Sequence, residues 1–255
     1  MRRLCALRDM KSQRTRLDRF ISERDSVSRR AVRMLLAQGR VLVDGERACS
    51  INQVVGQFTR VTLDECVLQA NQAHYVMLHK PEGVVSATRD IHHRTVLDLL
   101  PQPYADTLHI AGRLDFNSSG LLLLTNDGHW SRALSQPDTN LSKTYQVRVE
   151  KPLHSRYVEA FAAGIYFSYE DLTTKPAELK ILSKFDCQVR LVEGRYHQIK
   201  RMFGHFNNRV LRIHRCAVGS LHLDPGLPAG GSRNIASSEL DALGIEHHCQ
   251  AEPHY

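Results

Sequence analysis

In the run Gly112-Arg113-Leu114-Asp115-Phe116-Asn117-Ser118-Ser119-Gly120-Leu121-Leu122-Leu123-Leu124-Thr125-Asn126-Asp127-Gly128, a polar loop feeds four consecutive leucines. The leucines have the length and composition of a buried strand. The Asn-Asp-Gly that follows is a turn into a helix starting near His129 or Trp130. Asp115 therefore sits in a loop between glycines, backed by an apolar strand that can hold a carboxylate rigidly and limit its contact with water. By local chemistry alone, an Asp in such a loop can equally be a turn former or an ion-pair partner.

Working outward, strand-like runs at 75–78, 145–149 and 189–192 flank this segment and alternate with shorter helical stretches. They predict an α+β unit over residues 74–244. Upstream, the pattern differs. Leu17, Phe20 and Ile21 share one helix face, and Ser26 or Ser28 offers an N-cap for a second helix over 30–38, with an apolar stripe of Ala31, Met34, Leu35 and Leu36. Gly39 closes that helix. Val41-Leu42-Val43 then enters a tight hairpin at Asp44-Gly45, and a further strand is expected over 58–63. Arg16, Arg19, Arg29, Arg30, Arg33 and Arg40 project from or beside these helices. The division expected is a basic extension at 1–14, a small helix-and-strand domain at 15–65, and a linker at 66–73 that includes Gln69-Ala70-Asn71-Gln72. The larger domain at 74–244 follows, then a frayed, His-rich tail at 245–255. His247, His248 and Cys249 read as tail composition rather than as a metal site, because no other ligand set accompanies them.

The net charge of +7 is unevenly placed. Residues 1–65 hold 14 Lys and Arg against 8 Asp and Glu, and residues 184–215 hold 8 against 2. The segment between them is nearly neutral, and the last forty residues are acidic. Two basic blocks far apart in sequence suit an anion-binding surface assembled from two regions, and polyanions such as nucleic acids are the usual partner. The 6 cysteines contain no Cys-x-x-Cys pair, which suits neither a zinc framework nor a disulfide scaffold. The N-terminus lacks the apolar stretch of a signal peptide, and no run reaches the ~18 apolar residues of a membrane span. A reduced, cytoplasmic, non-membrane setting is expected.

The small domain resembles the S4 RNA-binding module in its Arg-Leu-Asp-Arg-Phe-Ile start, in Ser28-Arg29-Arg30 and in Gly39-Arg40-Val41-Leu42-Val43-Asp44-Gly45. The resemblance implies that its arginines meet phosphates of a structured RNA, positioning it without reading bases. The Gly112–Gly128 run resembles the signature of pseudouridine synthases of the RsuA type, with Ser118 where relatives usually carry Thr. Three further segments resemble the same family: Lys143-Thr144-Tyr145-Gln146-Val147, Glu193-Gly194-Arg195-Tyr196-His197-Gln198-Ile199-Lys200-Arg201-Met202-Phe203, and Leu78-His79-Lys80-Pro81-Glu82-Gly83, where His79 replaces an Asn. Asp171-Leu172-Thr173-Thr174-Lys175-Pro176-Ala177 resembles a segment of the small-subunit enzymes. Gly230-Gly231-Ser232-Arg233-Asn234 departs from the relatives' Tyr-Arg-x-Leu pattern.

The resemblance implies an S4-like domain followed by a catalytic domain built on a bent, mainly antiparallel sheet. It implies Asp115 as the catalytic carboxylate, Tyr145 as the active-site ring, Lys200 as the cation beside Asp115, and Ile199 as the apolar neighbour of the base. The chemistry is coherent: a cation beside a half-buried carboxylate favours its ionised, nucleophilic form. A flipped base also regains part of its lost stacking on an aromatic face. Lys80, Arg113, Arg195, His197, Gln198 and Arg201 are left as expected RNA contacts. The expected reaction is isomerisation of one uridine in 16S small-subunit rRNA, free or in a small-subunit assembly intermediate. It is carried out by a monomer without cofactor or metal. The rivals are a relative acting on 23S large-subunit rRNA and a non-catalytic RNA-binding assembly factor.

Overall fold

The computed structural model describes residues 14–136 and 139–248. The expected basic extension, apart from Arg14, lies outside the described residues, as do Cys5, Cys249 and the rest of the tail. The chain divides into two compact units at the 73/74 boundary.

In the smaller unit, helices Leu17–Asp25 and Arg29–Ala37 pack beside a four-stranded antiparallel sheet ordered Glu46–Arg47, Val41–Val43, Val61–Leu63, Cys66–Gln69. The sequence explains both helix ends. Ser28 Oγ accepts from the Ala31 amide at 3.2 Å, a standard N-cap. Gly39, at φ +70°, ends the second helix with Gly39 N–H donating to Leu36 O and Arg40 N–H to Leu35 O. Asp44 (φ 53°) and Gly45 (φ 87°) make the two-residue hairpin turn. Leu17, Phe20, Ile21, Val32, Val41, Val43, Val61 and Leu63 form the core. Met34, placed in the apolar stripe, is instead 61% exposed. The expected linker also needs correction: Cys66–Gln69 is a strand, paired with Val61–Leu63.

The larger unit is built on a nine-stranded sheet among the described residues. Its main path runs Glu178–Ile181, Asp186–Leu191, Lys143–Val149, Val210–Val218, Ser119–Thr125, Tyr75–Lys80, Ser232–Asn234. Every pairing is antiparallel except one, Val210–Val218 beside Ser119–Thr125, registered His214 to Ser119 and Arg215 to Gly120. The short strands His109–Ala111 and Leu221–His222 complete it. Gly120 permits the parallel contact. It sits at φ +109°, and a Cβ there would overlap the Arg215 backbone. The divergent segment still supplies the edge strand Ser232–Asn234, secured by Arg233 pairing with Asp224 and Glu239.

Two cores cover this sheet. One gathers Val147, Val149, Val189 and Leu191 under the helices Ser155–Ala163 and Gln198–Gly204. The other gathers Val76, Leu78, Leu122 and Leu124 with Val84, Val96 and Leu114. Tyr145 packs against both and so lies where they meet. The helix after the leucine strand, Gly128–Ser135, is capped by Asp127, whose carboxylate accepts from His129 and Trp130 amides. Residues 245–248 are not frayed, as the sequence had suggested. His248 places Nδ1 2.9 Å from the buried Asp127 carboxylate, and its amide donates to the Tyr75 hydroxyl. The four described cysteines are free.

A carboxylate cleft in the larger unit

Asp115 occupies one wall of a cleft of about 800 Å³ and is one-third exposed. Its Oδ2 lies 3.2 Å from Lys200 Nζ and 3.5 Å from His197 Nε2. Tyr145, Arg113 and Arg195 line the same cleft. A smaller recess of about 110 Å³ adds Ile199, Leu191 and Ile213 to Asp115, Tyr145 and Lys200. Asp115, Tyr145 and the Ile199-Lys200 pair, from three separate stretches of the sequence, thus converge on one recess whose polar wall carries the carboxylate and whose apolar wall is Leu191, Ile199 and Ile213.

The loop carrying Asp115 is fixed by side chains that grip its backbone. Lys80 is fully buried, and its ammonium donates to the carbonyls of Pro81 (3.0 Å), Asp115 (3.0 Å) and Ser118 (2.8 Å). This corrects the expectation that Lys80 contacts RNA: its three protons are spent on the loop. Burial lowers its pKa to about 8, against the opposing pull of the nearby Asp115 charge. Ser86 Oγ donates to Leu114 O at 2.7 Å and accepts from the Leu114 amide at 3.2 Å. The buried Arg215 donates from Nε to Leu121 O at 2.8 Å and from an Nη to Gly112 O at 2.9 Å, tying the two ends of the loop together. Lys143, half-buried in the cleft wall, has its pKa lowered by burial and by Arg215.

The opposite wall is the turn 193–198. Glu193 is buried and accepts from Gln198 Nε2 at 2.6 Å, Arg195 Nε at 3.0 Å and the Lys175 amide at 3.0 Å. Gln198 Oε1 in turn accepts from the Arg195 amide. The Glu-Gly-x-x-x-Gln spacing is therefore structural, and Gln198, 4% exposed, is not an RNA contact as expected. The Thr174-Lys175 segment serves the same network. His197 adopts φ +47°, a left-handed conformation that costs a non-glycine residue ~1–3 kcal/mol. The conformation directs its ring toward Asp115. Arg201 ion-pairs with Glu170 and lies 3.8 Å over the Phe167 ring, which braces the helix while leaving the guanidinium partly exposed.

In the smaller unit, Arg29, Arg30 and Arg33 are exposed and form no ion pair among the described residues. Arg16, Arg19 and Arg40 are exposed but paired, with Asp18, Glu23 and Asp64 respectively. Such exposed pairs are screened by solvent and exchange readily for a phosphate. Sequence reasoning missed Ser86, Lys143, Arg215 and Tyr196, and misread Lys80. For Lys80 and Arg215 a signal existed: strand parity places them on the faces of Val76 and Leu78, and of Ile213 and Ala217, all buried. Among the described residues, no group of three or more His, Cys, Asp or Glu is placed to hold a metal ion, and no helix is long and apolar enough to cross a membrane.

The smaller unit thus presents exposed arginines, and the larger one places a carboxylate, a lysine and a tyrosine at a single recess. The chain belongs to the RNA pseudouridylate synthase family, whose model matches residues 74–205, with the S4 domain model matching residues 15–60. It is 52% identical over 226 residues to the ribosomal small subunit pseudouridine synthase A of Pseudomonas aeruginosa, covering 88% of this chain and 98% of that one. The protein of the same name from Escherichia coli K12 is 38% identical over 229 residues, covering 89% and 99%. A crystal structure of a pseudouridylate synthase, 36% identical, superposes with a TM-score of 0.65 over 89% of this chain and 99% of that one. Family membership makes the chain an isomerase acting on RNA, with a mixed α/β, mainly antiparallel fold behind an S4 domain.

Proposed function

We propose that this chain isomerises one uridine of 16S small-subunit rRNA to pseudouridine in the cytoplasm, as a monomer, on the free RNA or on an assembly intermediate. The observation that carries the chemistry is the Asp115–Lys200 pair at 3.2 Å beside the Tyr145 and Ile199 slot. The relatives' common designation as small-subunit enzymes supports the choice of RNA.

In this reading, the uridine leaves its stack and its base enters the slot between Tyr145 and Ile199. Asp115 forms a transient bond to the nucleotide as the N1–C1′ glycosidic bond breaks, and that bond breaks again, returning the carboxylate, when the base rejoins the sugar. The freed base rotates and rejoins through C5. C5 then loses its proton and N1 gains one, so atoms and electrons balance without an external oxidant or group donor. Lys200 offsets the charge that shifts on and off the carboxylate. Arg113, Arg195 and His197 in the larger unit, and Arg16, Arg19, Arg29, Arg30, Arg33 and Arg40 in the smaller, neutralise phosphates.

The test is Asp115→Asn together with a map of pseudouridines in both rRNAs of cells lacking the gene. The expected outcome is one missing 16S site, restored by the parent gene and not by Asp115→Asn, with RNA affinity kept in the variant. Undiminished turnover by Asp115→Asn would overturn the catalytic assignment. Loss of a 23S site with 16S intact would overturn the substrate.

A further inference from the structure

Tyr196 has no part in the scheme above, yet its setting is unusual. It lines the cleft, and its side chain belongs to a residue 77% exposed. One ring face lies on the His197 imidazole, with centroids 3.9 Å apart and planes 22° from parallel. His197 in turn reaches Asp115 at 3.5 Å. The other face of the tyrosine is open. An aromatic ring is ordinarily drawn into a core by its apolar area. Here the ring is instead held out of the core on a turn that has little freedom to let it collapse. Glu193, Arg195 and Gln198 lock that turn by mutual hydrogen bonds, and the left-handed His197 sets the angle at which the two rings meet.

We infer that Tyr196 is a stacking platform for the base of a nucleotide adjoining the target uridine. This rests on the reading of Asp115 as the residue that meets the flipped uridine. When that uridine leaves the stack, its neighbours each lose a stacking face. A planar, uncharged ring one residue from the Asp115 contact, flanked by Arg195 and Arg113 for the adjoining phosphates, replaces one of those faces. The imidazole behind it prevents the tyrosine from folding away. Stacking on an aromatic face tolerates any base, so Tyr196 holds the flanking nucleotide without reading it. It is a positioning residue: it holds the strand in place and does not touch the reacting atoms.

The experiment uses the full chain and a synthetic RNA carrying the uridine the enzyme modifies, with 2-aminopurine at either neighbouring position. It is run in the Asp115→Asn background so that binding is separated from turnover. On binding, 2-aminopurine on one side stays quenched, and adding Tyr196→Leu makes it brighten. Affinity for the RNA falls roughly 5- to 150-fold, the range corresponding to ~1–3 kcal/mol per stacked base. Tyr196→Phe retains both the quench and the affinity. With Asp115 restored, the loss in Tyr196→Leu falls on KM more than on kcat. The inference is overturned if Tyr196→Leu binds as tightly as its parent, if neither 2-aminopurine position responds to it, or if Tyr196→Phe loses as much as Tyr196→Leu. Continued turnover by Asp115→Asn would instead refute the underlying catalytic reading, so the two failures are separable.

Discussion

Lys80→Met is the sharpest test of how the Asp115 loop is held. The substitution keeps the length of the buried stem and removes the charge and its three protons. Two effects oppose each other. Burying the ammonium is costly: lowering its pKa from 10.5 to about 8 corresponds to ~3 kcal/mol that methionine does not incur. Against this, the carbonyls of Pro81, Asp115 and Ser118 lose their donor, and each buried acceptor left without one costs ~1–3 kcal/mol. The net expectation is a destabilisation of ~3 kcal/mol, read as a lower denaturant midpoint at unchanged slope. Activity falls much further, because Asp115 is displaced relative to Lys200. It is read as tritium release from RNA labelled at uridine C5, the position that loses its hydrogen in the reaction. The pH dependence adds a second, independent signature. Between pH 8 and 10.5 the unfolded chain still binds a proton at Lys80 and the folded chain does not, so this group makes stability rise with pH across that window. Over the same window the neutral amine has two protons for three carbonyls, and activity declines. Activity and stability thus move in opposite directions in the parent, and this divergence is missing in Lys80→Met. A Lys80→Met enzyme with the parent's denaturant midpoint and tritium-release rate would refute the clamp.

Gly120→Ala adds a Cβ against the Arg215 backbone at φ +109°. Overpacking at ~1–3 kcal/mol and left-handed strain at ~1–2 kcal/mol together predict a loss of ~2–5 kcal/mol in urea unfolding, and parent-like stability would contradict the parallel pairing. Asp127→Ala removes the cap of the Gly128–Ser135 helix and should cost ~1–2 kcal/mol. Burial pushes the Asp127 carboxyl upward, but hydrogen bonds from His248, Tyr75, Trp130 and His129 outweigh it, and its pKa lies below the ordinary 3.8. Its stabilisation is therefore complete above that value and is lost as pH falls through the folded-state pKa, so the gap between parent and Asp127→Ala should close in acid. A gap independent of pH would show that the ionised carboxylate is not the stabilising form.

The parts of the fold written in local pattern were legible in the sequence. The four leucines, Ser28 as a cap, Gly39 as a helix stop and Asp44-Gly45 as a hairpin each follow from side-chain chemistry within a few residues. Cys66–Gln69 was not, because this four-residue edge strand leaves Val67 exposed and is held by backbone hydrogen bonds to Val61–Leu63 that leave little trace in side-chain pattern. Nor was the docking of His248 on Asp127, a contact across 121 positions that joins a His-rich tail to a helix cap. That Asp115, Tyr145 and Ile199-Lys200 meet at one recess was expected only through resemblance, since nothing in the spacing of these three stretches brings them together. Lys80 and Gln198 were misassigned for one shared reason. A charged or amide group near the Asp115 and Glu193 motifs was read as facing outward, although strand parity in one case and the Glu193 partner in the other turn it inward.

The distribution of cations in the larger unit follows a division of labour that accounts for the length of the motif. The buried cations Lys80 and Arg215 donate to backbone carbonyls within 112–121 and, from Lys80, to that of Pro81, and such bonds hold the loop without occupying any of its side chains. Lys200 and His197, about one-third exposed, approach the Asp115 carboxylate itself, and Arg113 is left exposed. In the proposed reading of the cleft, carboxylate chemistry beside bound RNA requires this separation. A loop fixed by surface cations would loosen whenever phosphates competed for them, whereas Lys80 and Arg215 are buried and already committed to carbonyls. The rigidity of Asp115 is thereby made independent of the RNA that the same cleft must bind and release. The strain at His197 fits the same logic. The one member of the site that leans toward both carboxylate and strand is set by a backbone conformation rather than by a charge that RNA could draw away.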